Sequence, residues 1–232
     1  MKTEQSKFKA VMFDLDGTLL DTLTDIADSV NAVLARFGFP THSLPAYRYF
    51  VGDGQKTLVR RILPAEHRDE VTVSKCCEAI TNEYHRRWPD NTRVYDGIPE
   101  LLTAIDELGL GKVILSNKPH GFTRVMVERL LPNWSFDVVQ GLAGSMRPKP
   151  DPTSAMKIAA RLNIAPMDFL YLGDTSTDMQ TATAAGMYAV GALWGFRTAD
   201  ELLTSGAKAL AKEPGDVLAI LRQKAGRNGN VD

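Results

Sequence analysis

The residues with the clearest chemical potential are two aspartates one position apart, Asp14 and Asp16, which end the apolar run Val11, Met12, Phe13 and lead into Gly17 and Thr18. Successive side chains of a strand point to opposite faces. Asp14 and Asp16 are therefore expected on one face beyond the strand's carboxyl end, with Leu15 turned back into protein. Two acids in one small pocket suit phosphoryl transfer. One carboxylate attacks phosphorus and forms an aspartyl-phosphate, dividing a hard hydrolysis into two easier displacements. The other protonates the leaving oxygen and later activates water, provided its surroundings raise its pKa toward the working pH. Gly17 permits backbone geometry that a Cβ would obstruct, and Thr18 steadies the turn. An ordinary turn whose acids bond their own backbone uses the same residue types, so the weight falls on what else converges with them.

Further polar groups follow the later apolar segments. Ser116 and Asn117 come directly after Leu115 and offer a hydroxyl and a backbone amide to phosphate oxygens. Lys149 stands between Pro148 and Pro150, which stiffen the backbone around one cation. Gly173 is followed by Asp174 and, four residues on, Asp178, beside an expected helix start. Ligands of open parallel sheets bind outside the strands' carboxyl ends, where these segments can meet.

The elements that must position them are legible in the periodicity. Residues 8–13 read as a buried strand. A helix then follows Thr24 as N-cap, carrying Ile26, Val30, Val33, Leu34 and Phe37 at helical spacing, with Gly38 past its end. Residues 40–88 read as a mostly helical insert with a stripe of Val73, Cys76, Cys77, Ile80 and Tyr84. Strand patterning returns at 112–115, after a helix at 98–108 ended by Gly109. Apolar segments at 136–139, 169–172 and 188–193 alternate with helical ones at 123–131, 152–162 and 176–185. Such alternation predicts an α/β protein with a doubly wound, Rossmann-like parallel sheet. Linkers are expected at 21–23 and 89–96, and the tail at 226–232 reads as disordered.

Bulk properties bound the function classes. With 232 residues, 44% hydrophobic and 24% charged, the chain supports one full domain plus a smaller one. A net charge of -1 offers no broad basic field for nucleic acid. No stretch approaches the roughly 18 apolar residues of a membrane span. The polar N-terminal residues suggest no secretory signal. Cys76 and Cys77 are adjacent and poorly placed to pair, which fits a reducing cytoplasm. His42, His67, His85 and His120 lack metal-ligand spacing. Gly52, Gly54 and Lys56 suggest a P-loop superficially, but Gln55 breaks its spacing.

Asp14-Leu15-Asp16-Gly17-Thr18, Ser116-Asn117, Lys149-Pro150 and Gly173-Asp174 with Asp178 occur together in the order found in the haloacid dehalogenase superfamily. The chain resembles its phosphatases with a helical cap inserted after the first motif. That resemblance implies a core from residues 1–20 and 92–232 and an all-helical cap from 21–91. It implies Asp14 as nucleophile and metal ligand, Asp16 as general acid and base with its backbone carbonyl on the metal, Asp174 as a further ligand, and Asp178 acting through water or holding the site in shape. It implies Mg²⁺ as the cofactor, which prefers oxygen ligands, and Thr18, Ser116, Asn117 and Lys149 around the phosphoryl group. The segment from Tyr49 through Gly52 and Gln55 resembles the substrate-facing cap loop of phosphoglycolate phosphatases, so Gly52, Lys56 and Arg60 are expected near a substrate carboxylate. The implied activity is hydrolysis of a small phosphorylated metabolite, foremost 2-phosphoglycolate, by a cytoplasmic monomer or homodimer with no nucleic-acid or membrane partner. Pyrophosphatase, 5′-nucleotidase, sugar phosphatase and phosphomutase activities are the alternatives within the superfamily. A signalling receiver domain and a catalytically silent binding protein are the rivals from other classes.

Overall fold

The computed structural model describes residues 6–222. The expected disordered tail at 226–232 lies outside the described residues. In chain order the elements are β1 (Ala10–Phe13), β2 (Leu20–Asp21), α1 (Leu23–Arg36), α2 (Leu44–Phe50), α3 (Gln55–Ile62), α4 (Glu70–Arg87), β3 (Arg93–Val94), α5 (Ile98–Glu107) and β4 (Gly111–Pro119). There follow α6 (His120–Leu130), β5 (Val138–Leu142), α7 (Thr153–Arg161), β6 (Phe169–Gly173), α8 (Ser176–Ala185), β7 (Tyr188–Ala192), α9 (Ala199–Thr204), β8 (Ala209–Ala211) and α10 (Pro214–Leu221). Among the described residues no helix is long and apolar enough to cross a membrane.

Six strands form one sheet in the order β5-β4-β1-β6-β7-β8, parallel throughout. All four residues of β1 are fully buried, as a strand covered on both faces requires. Their side chains alternate between two apolar layers: Val11 and Phe13 enter one, Ala10 and Met12 the other. The register brings Phe13 level with Ile114 on β4 and Leu172 on β6. The residues that follow each strand therefore emerge at one edge. From β1 the chain builds outward through β4 and β5, then returns to the opposite side of β1 with β6, the kind of reversal at which such sheets bind ligands.

Helices α1 to α4 form a separate apolar cluster containing Val30, Val33, Tyr47, Val59, Ile62 and Val73. Phe196, from the loop after β7, is buried in the same cluster and ties it to the sheet. The stripe expected on α4 divides. Val73, Cys76 and Ile80 face the helical cluster, whereas Tyr84 joins the sheet's own core together with Trp88. Cys76 and Cys77 are free thiols.

Among the boundaries that differ from the periodicity, three bear on the site. The helix expected to start after Thr24 begins at Leu23, and its N-cap residue Thr22 makes no side-chain cap bond. The segments expected as linkers meet as an antiparallel ribbon, β2 against β3, with Leu20 opposite Val94. Beside it the buried carboxylate of Asp25 on α1 accepts bonds from the backbone N–H and side-chain amide of Asn91 and from the N–H and hydroxyl of Thr92, at 2.7–3.1 Å. The strand expected at 112–115 continues through Ser116, Asn117 and Lys118 to Pro119, which pairs with Leu142 after a register shift. Apolar periodicity ends at Leu115 because the next three residues are polar, yet all three are buried.

Candidate active site

Asp14 leaves β1 at the sheet's carboxyl edge, its N–H donating to the Leu172 carbonyl at 2.9 Å. Asp14, Asp174 and Asp178 are all buried, and each offers a carboxylate oxygen within 4.8 Å of the others. Lys149 reaches the same point from the loop before α7. Its Nζ lies 2.8 Å from Asp14 Oδ1 and 2.6 Å from Asp178 Oδ1, and donates to the Leu115 carbonyl at 3.1 Å. The contact with Asp14 is at ion-pair distance without hydrogen-bond alignment, so Asp14 Oδ1 is a buried oxygen lacking a hydrogen-bond donor. Asp174 is fixed by the Thr18 hydroxyl at 3.0 Å and the Phe196 N–H at 2.8 Å. Gly17 and Gly195 press against it so closely that a Cβ on either would collide with its side chain. Asp178 closes a capping box at the start of α8, accepting from the Thr175 N–H at 3.0 Å and hydroxyl at 2.6 Å.

Electrostatics suits this cluster to a cation. Burial, then repulsion from Asp178, pushes the Asp14 carboxyl up to about 7, with Lys149 opposing the rise. Burial, followed by Asp178 and Asp14, also holds Asp174 well above the usual carboxylate range. For Lys149 burial works against the charge, but Asp14 and Asp178 outweigh it and hold the ammonium firmly protonated. Three carboxylates gather around one ammonium, so negative charge is in excess. That donor set of hard oxygens suits a divalent cation such as Mg²⁺.

Beside the acid cluster a cavity of about 90 Å³ opens between the sheet edge and the helical insert. Its wall is mainly apolar, with Ile26, Leu58, Ile80 and Phe122, while Asp14, Asp16 and Lys118 bring charge to it. Asp16 receives Lys118 Nζ at 3.0 Å on Oδ1 and 3.2 Å on Oδ2, and the same ammonium donates to the Tyr84 hydroxyl of α4 at 2.9 Å. Asn117 binds two segments at once. Its Nδ2 donates to the carbonyls of Gly52 and Lys149, both at 3.0 Å, and its Oδ1 accepts from the Lys149 N–H at 2.8 Å. Gly52 is at φ +122°, and a Cβ there would sit 3.3 Å from Thr175. Arg197 Nη2 holds the neighbouring Val51 carbonyl at 3.0 Å, and the Thr177 hydroxyl contacts Asp53. The insert's loop is thus clasped to the sheet domain beside the acids.

The structure brings Asp14, Asp16, Ser116, Asn117, Lys149, Asp174, Asp178 and Gly52 to one place and sends others elsewhere. Thr18 is fully buried behind Asp174, its hydroxyl spent on that carboxylate rather than offered to a ligand. The Asn117 side chain, not singled out from sequence, organises the surrounding loops. Lys56 and Arg60, expected near substrate, lie exposed and paired with Glu70. The reason is helical phase. Leu58, Val59 and Ile62 take the buried face of α3, and positions 56 and 60 form an i, i+4 stripe on its other side. Lys118, Tyr84 and Arg197 are the site-lining or clasping residues that received no role from sequence reasoning. For Lys118 a signal existed: it lies two positions beyond Ser116, the spacing that returns a strand side chain to the same face. Arg197 lies in Trp194-Gly195-Phe196-Arg197, a segment that shares in the resemblance to phosphoglycolate phosphatases, but without a role attached; for Tyr84 no signal existed, since it arrives from a distant segment.

Comparison with known proteins agrees with this geometry. The profile of the haloacid dehalogenase-like hydrolases matches residues 11–192, which contain every acid named above. The chain belongs to that family. Among relatives of this haloacid dehalogenase-like hydrolase, the phosphoglycolate phosphatase of Pseudomonas putida is 31% identical over 191 residues, covering 81% of this chain and 70% of that one. The phosphoglycolate phosphatase of Thiobacillus denitrificans is 32% identical over 192 residues, covering 80% and 83%. A crystal structure from Lactobacillus delbrueckii subsp. bulgaricus, assigned to the phosphoglycolate phosphatases, superposes with a TM-score of 0.87 at 27% identity and covers 93% of this chain and 99% of that one. The doubly wound core of this hydrolase is the family's fold.

Proposed function

We propose that this hydrolase is a Mg²⁺-dependent phosphomonoesterase that works through an aspartyl-phosphate on Asp14 and acts on a small phosphorylated metabolite, with 2-phosphoglycolate the first candidate. The observation that carries the reading is the convergence of Asp14, Lys149, Asp174 and Asp178, with one carboxylate oxygen of Asp14 free of hydrogen bonds. Asp14 and Asp174 would hold such a cation, with the Asp16 carbonyl as the resemblance implies, and it would supply positive charge that keeps Asp14 ionised and offsets its repulsion from phosphate.

The chain's own groups account for the remaining chemistry. Lys149, immobilised by Asp14, Asp178 and the Leu115 carbonyl, places a fixed ammonium where an incoming phosphoryl group meets Asp14, in a site that excludes bulk water. Ser116 and the Asn117 backbone lie beside it on β4 as donors to phosphoryl oxygens. Asp14 attacks phosphorus, the ester P–O bond breaks, and Asp16 gives its proton to the departing alkoxide. Water then adds to the phosphorus of the aspartyl-phosphate, Asp16 takes its proton, and inorganic phosphate and free Asp14 are released. Asp178, capping α8 and holding Lys149, keeps the cluster in shape.

Two observations support a small leaving group. The relatives named above carry the name phosphoglycolate phosphatase. The cavity beside Asp14 is small, about 90 Å³, and mainly apolar, which suits a small leaving group. The free thiols Cys76 and Cys77 support a cytoplasmic location. The test is a phosphate-release screen with Mg²⁺, comparing kcat/KM for 2-phosphoglycolate with hexose phosphates, nucleoside monophosphates and pyrophosphate. A leading kcat/KM for 2-phosphoglycolate is expected. Preference for a bulkier ester or for pyrophosphate overturns the substrate, and transfer of the phosphoryl group back to a sugar identifies a mutase instead.

A further inference from the structure

We propose that Lys118 is the specificity residue of this enzyme: its ammonium binds a carboxylate carried by the alcohol half of the substrate, and Asp16 holds that place until substrate arrives. The inference rests on the phosphomonoesterase reading above and adds to it the residue that selects the leaving group. Among the described residues, Lys118 is the one cation lining the cavity beside Asp14. The rest of that wall is largely apolar, and a carboxylate moved into such surroundings without a cation is strongly disfavoured.

The other cations near the insert that sequence or geometry brings into question do not line this cavity. Lys56 and Arg60 are exposed and bound to Glu70, and Arg61 pairs with Asp53 at 2.5 Å. Arg197 gives Nε to Glu201 and Nη2 to the Val51 carbonyl, and although its Nη1 has no partner it does not line the cavity. Lys149 faces Asp14 and Asp178, where the phosphoryl group belongs.

Lys118 already displays a carboxylate seat. Both oxygens of Asp16 sit on its ammonium, at 3.0 and 3.2 Å, and the Tyr84 hydroxyl at 2.9 Å takes a further donor. The ring of Tyr84 lies 4.5 Å from the same Nζ, so the charge is held between β4 of the sheet and α4 of the insert. A substrate carboxylate taking the place of the Asp16 carboxylate keeps the charge balance of this pair. It also frees Asp16, which takes up a proton from water as it leaves the ammonium, to turn toward the ester oxygen as the acid. With about 90 Å³ available, the geometry points to phosphate esters of hydroxy acids with two or three carbons.

The experiment uses the full-length protein with Mg²⁺ and compares kcat/KM for 2-phosphoglycolate with that for 2-hydroxyethyl phosphate, which replaces the carboxylate by a neutral group of similar size. The wild type is expected to favour 2-phosphoglycolate by about tenfold or more. Lys118→Met is expected to shrink that ratio by about 10- to 100-fold, mainly through a higher KM for 2-phosphoglycolate, the scale of a charged hydrogen bond. Lys118→Arg should keep part of the preference, and Lys56→Ala combined with Arg60→Ala should leave the ratio as it was. A parallel loss on both esters in Lys118→Met, with the ratio retained, means that Lys118 merely orients Asp16 and overturns the proposal. So does a ratio that collapses in the Lys56/Arg60 pair and survives in Lys118→Met. Should Lys118→Met fail to fold, inhibition of the wild type decides: glycolate must compete with substrate at concentrations where ethylene glycol does not, and equal inhibition overturns the assignment. A wild type that hydrolyses both esters equally defeats the role of Lys118 alone, whereas one that releases phosphate from neither defeats the phosphomonoesterase reading as well.

Discussion

Asp14 combines burial with a like-charged neighbour, and that combination makes its behaviour testable. Asp14→Asn retains the shape of the side chain and removes the nucleophile, so phosphate release is expected to fall by at least about a thousandfold. The melting curve should show a folded protein, and wild-type-like turnover in this variant would exclude Asp14 as the attacking group. The raised pKa also links pH to stability. With the carboxyl moved from 3.8 to about 7 by burial and by Asp178, the folded state binds the proton more tightly than the unfolded state does. The contribution is therefore complete below pH 4 and is lost as pH climbs through about 7. In EDTA the Tm should decline across that interval, and added Mg²⁺ should raise it more at pH 8 than at pH 6, because cation and proton compete for the same oxygens. A Mg²⁺-induced shift that is equal at both pH values counts against Asp14 as a ligand.

At the scale of elements, the ribbon of β2 and β3 and the Asp25 carboxylate decide how the helical insert leaves and rejoins the sheet domain. Asp25 satisfies the buried N–H and hydroxyl of Thr92 and the N–H of Asn91. Asp25→Ala strands these donors, and a loss of roughly 2–4 kcal/mol in urea unfolding is expected. A change under about half a kcal/mol would mean that water replaces the carboxylate. Gly17 imposes a second local constraint: at φ +86°, with Asp174 against it, Gly17→Ala combines backbone strain with displacement of that acid. It should lower both Mg²⁺ affinity and kcat, read by titrating activity against Mg²⁺ concentration.

For the whole molecule, the governing fact is that two apolar clusters meet across the site. Phe196 leaves the sheet domain to be buried among the insert's residues, and Tyr84 and Trp88 cross in the other direction into the sheet domain's core. Phe196→Ala is expected to cost about 3–5 kcal/mol. Because the neighbouring N–H of Phe196 also holds Asp174, the same substitution should weaken Mg²⁺ activation, which calorimetry and a Mg²⁺ titration measure side by side. Unchanged Mg²⁺ dependence in a destabilised variant would separate packing from the site.

Much of this was written into local sequence. Apolar runs with β-strand length, helical stripes and the glycines after them determine the α/β alternation, because burial periodicity and turn chemistry act over a few residues. The order of Asp14, Ser116, Lys149 and Asp174 along the chain, each beyond an apolar strand, likewise marks the sheet edge where chemistry belongs. What tertiary structure alone decided is partnership between segments far apart in the chain. Thr18 turns to Asp174, Asn117 clasps Gly52, Lys118 takes Asp16 and Tyr84, and Lys56 and Arg60 are left to Glu70. A polar side chain once buried must find whichever partner the packed chain places within about 3 Å, and that choice depends on strand order, helix phase and the seating of the insert, none of which has a local signature.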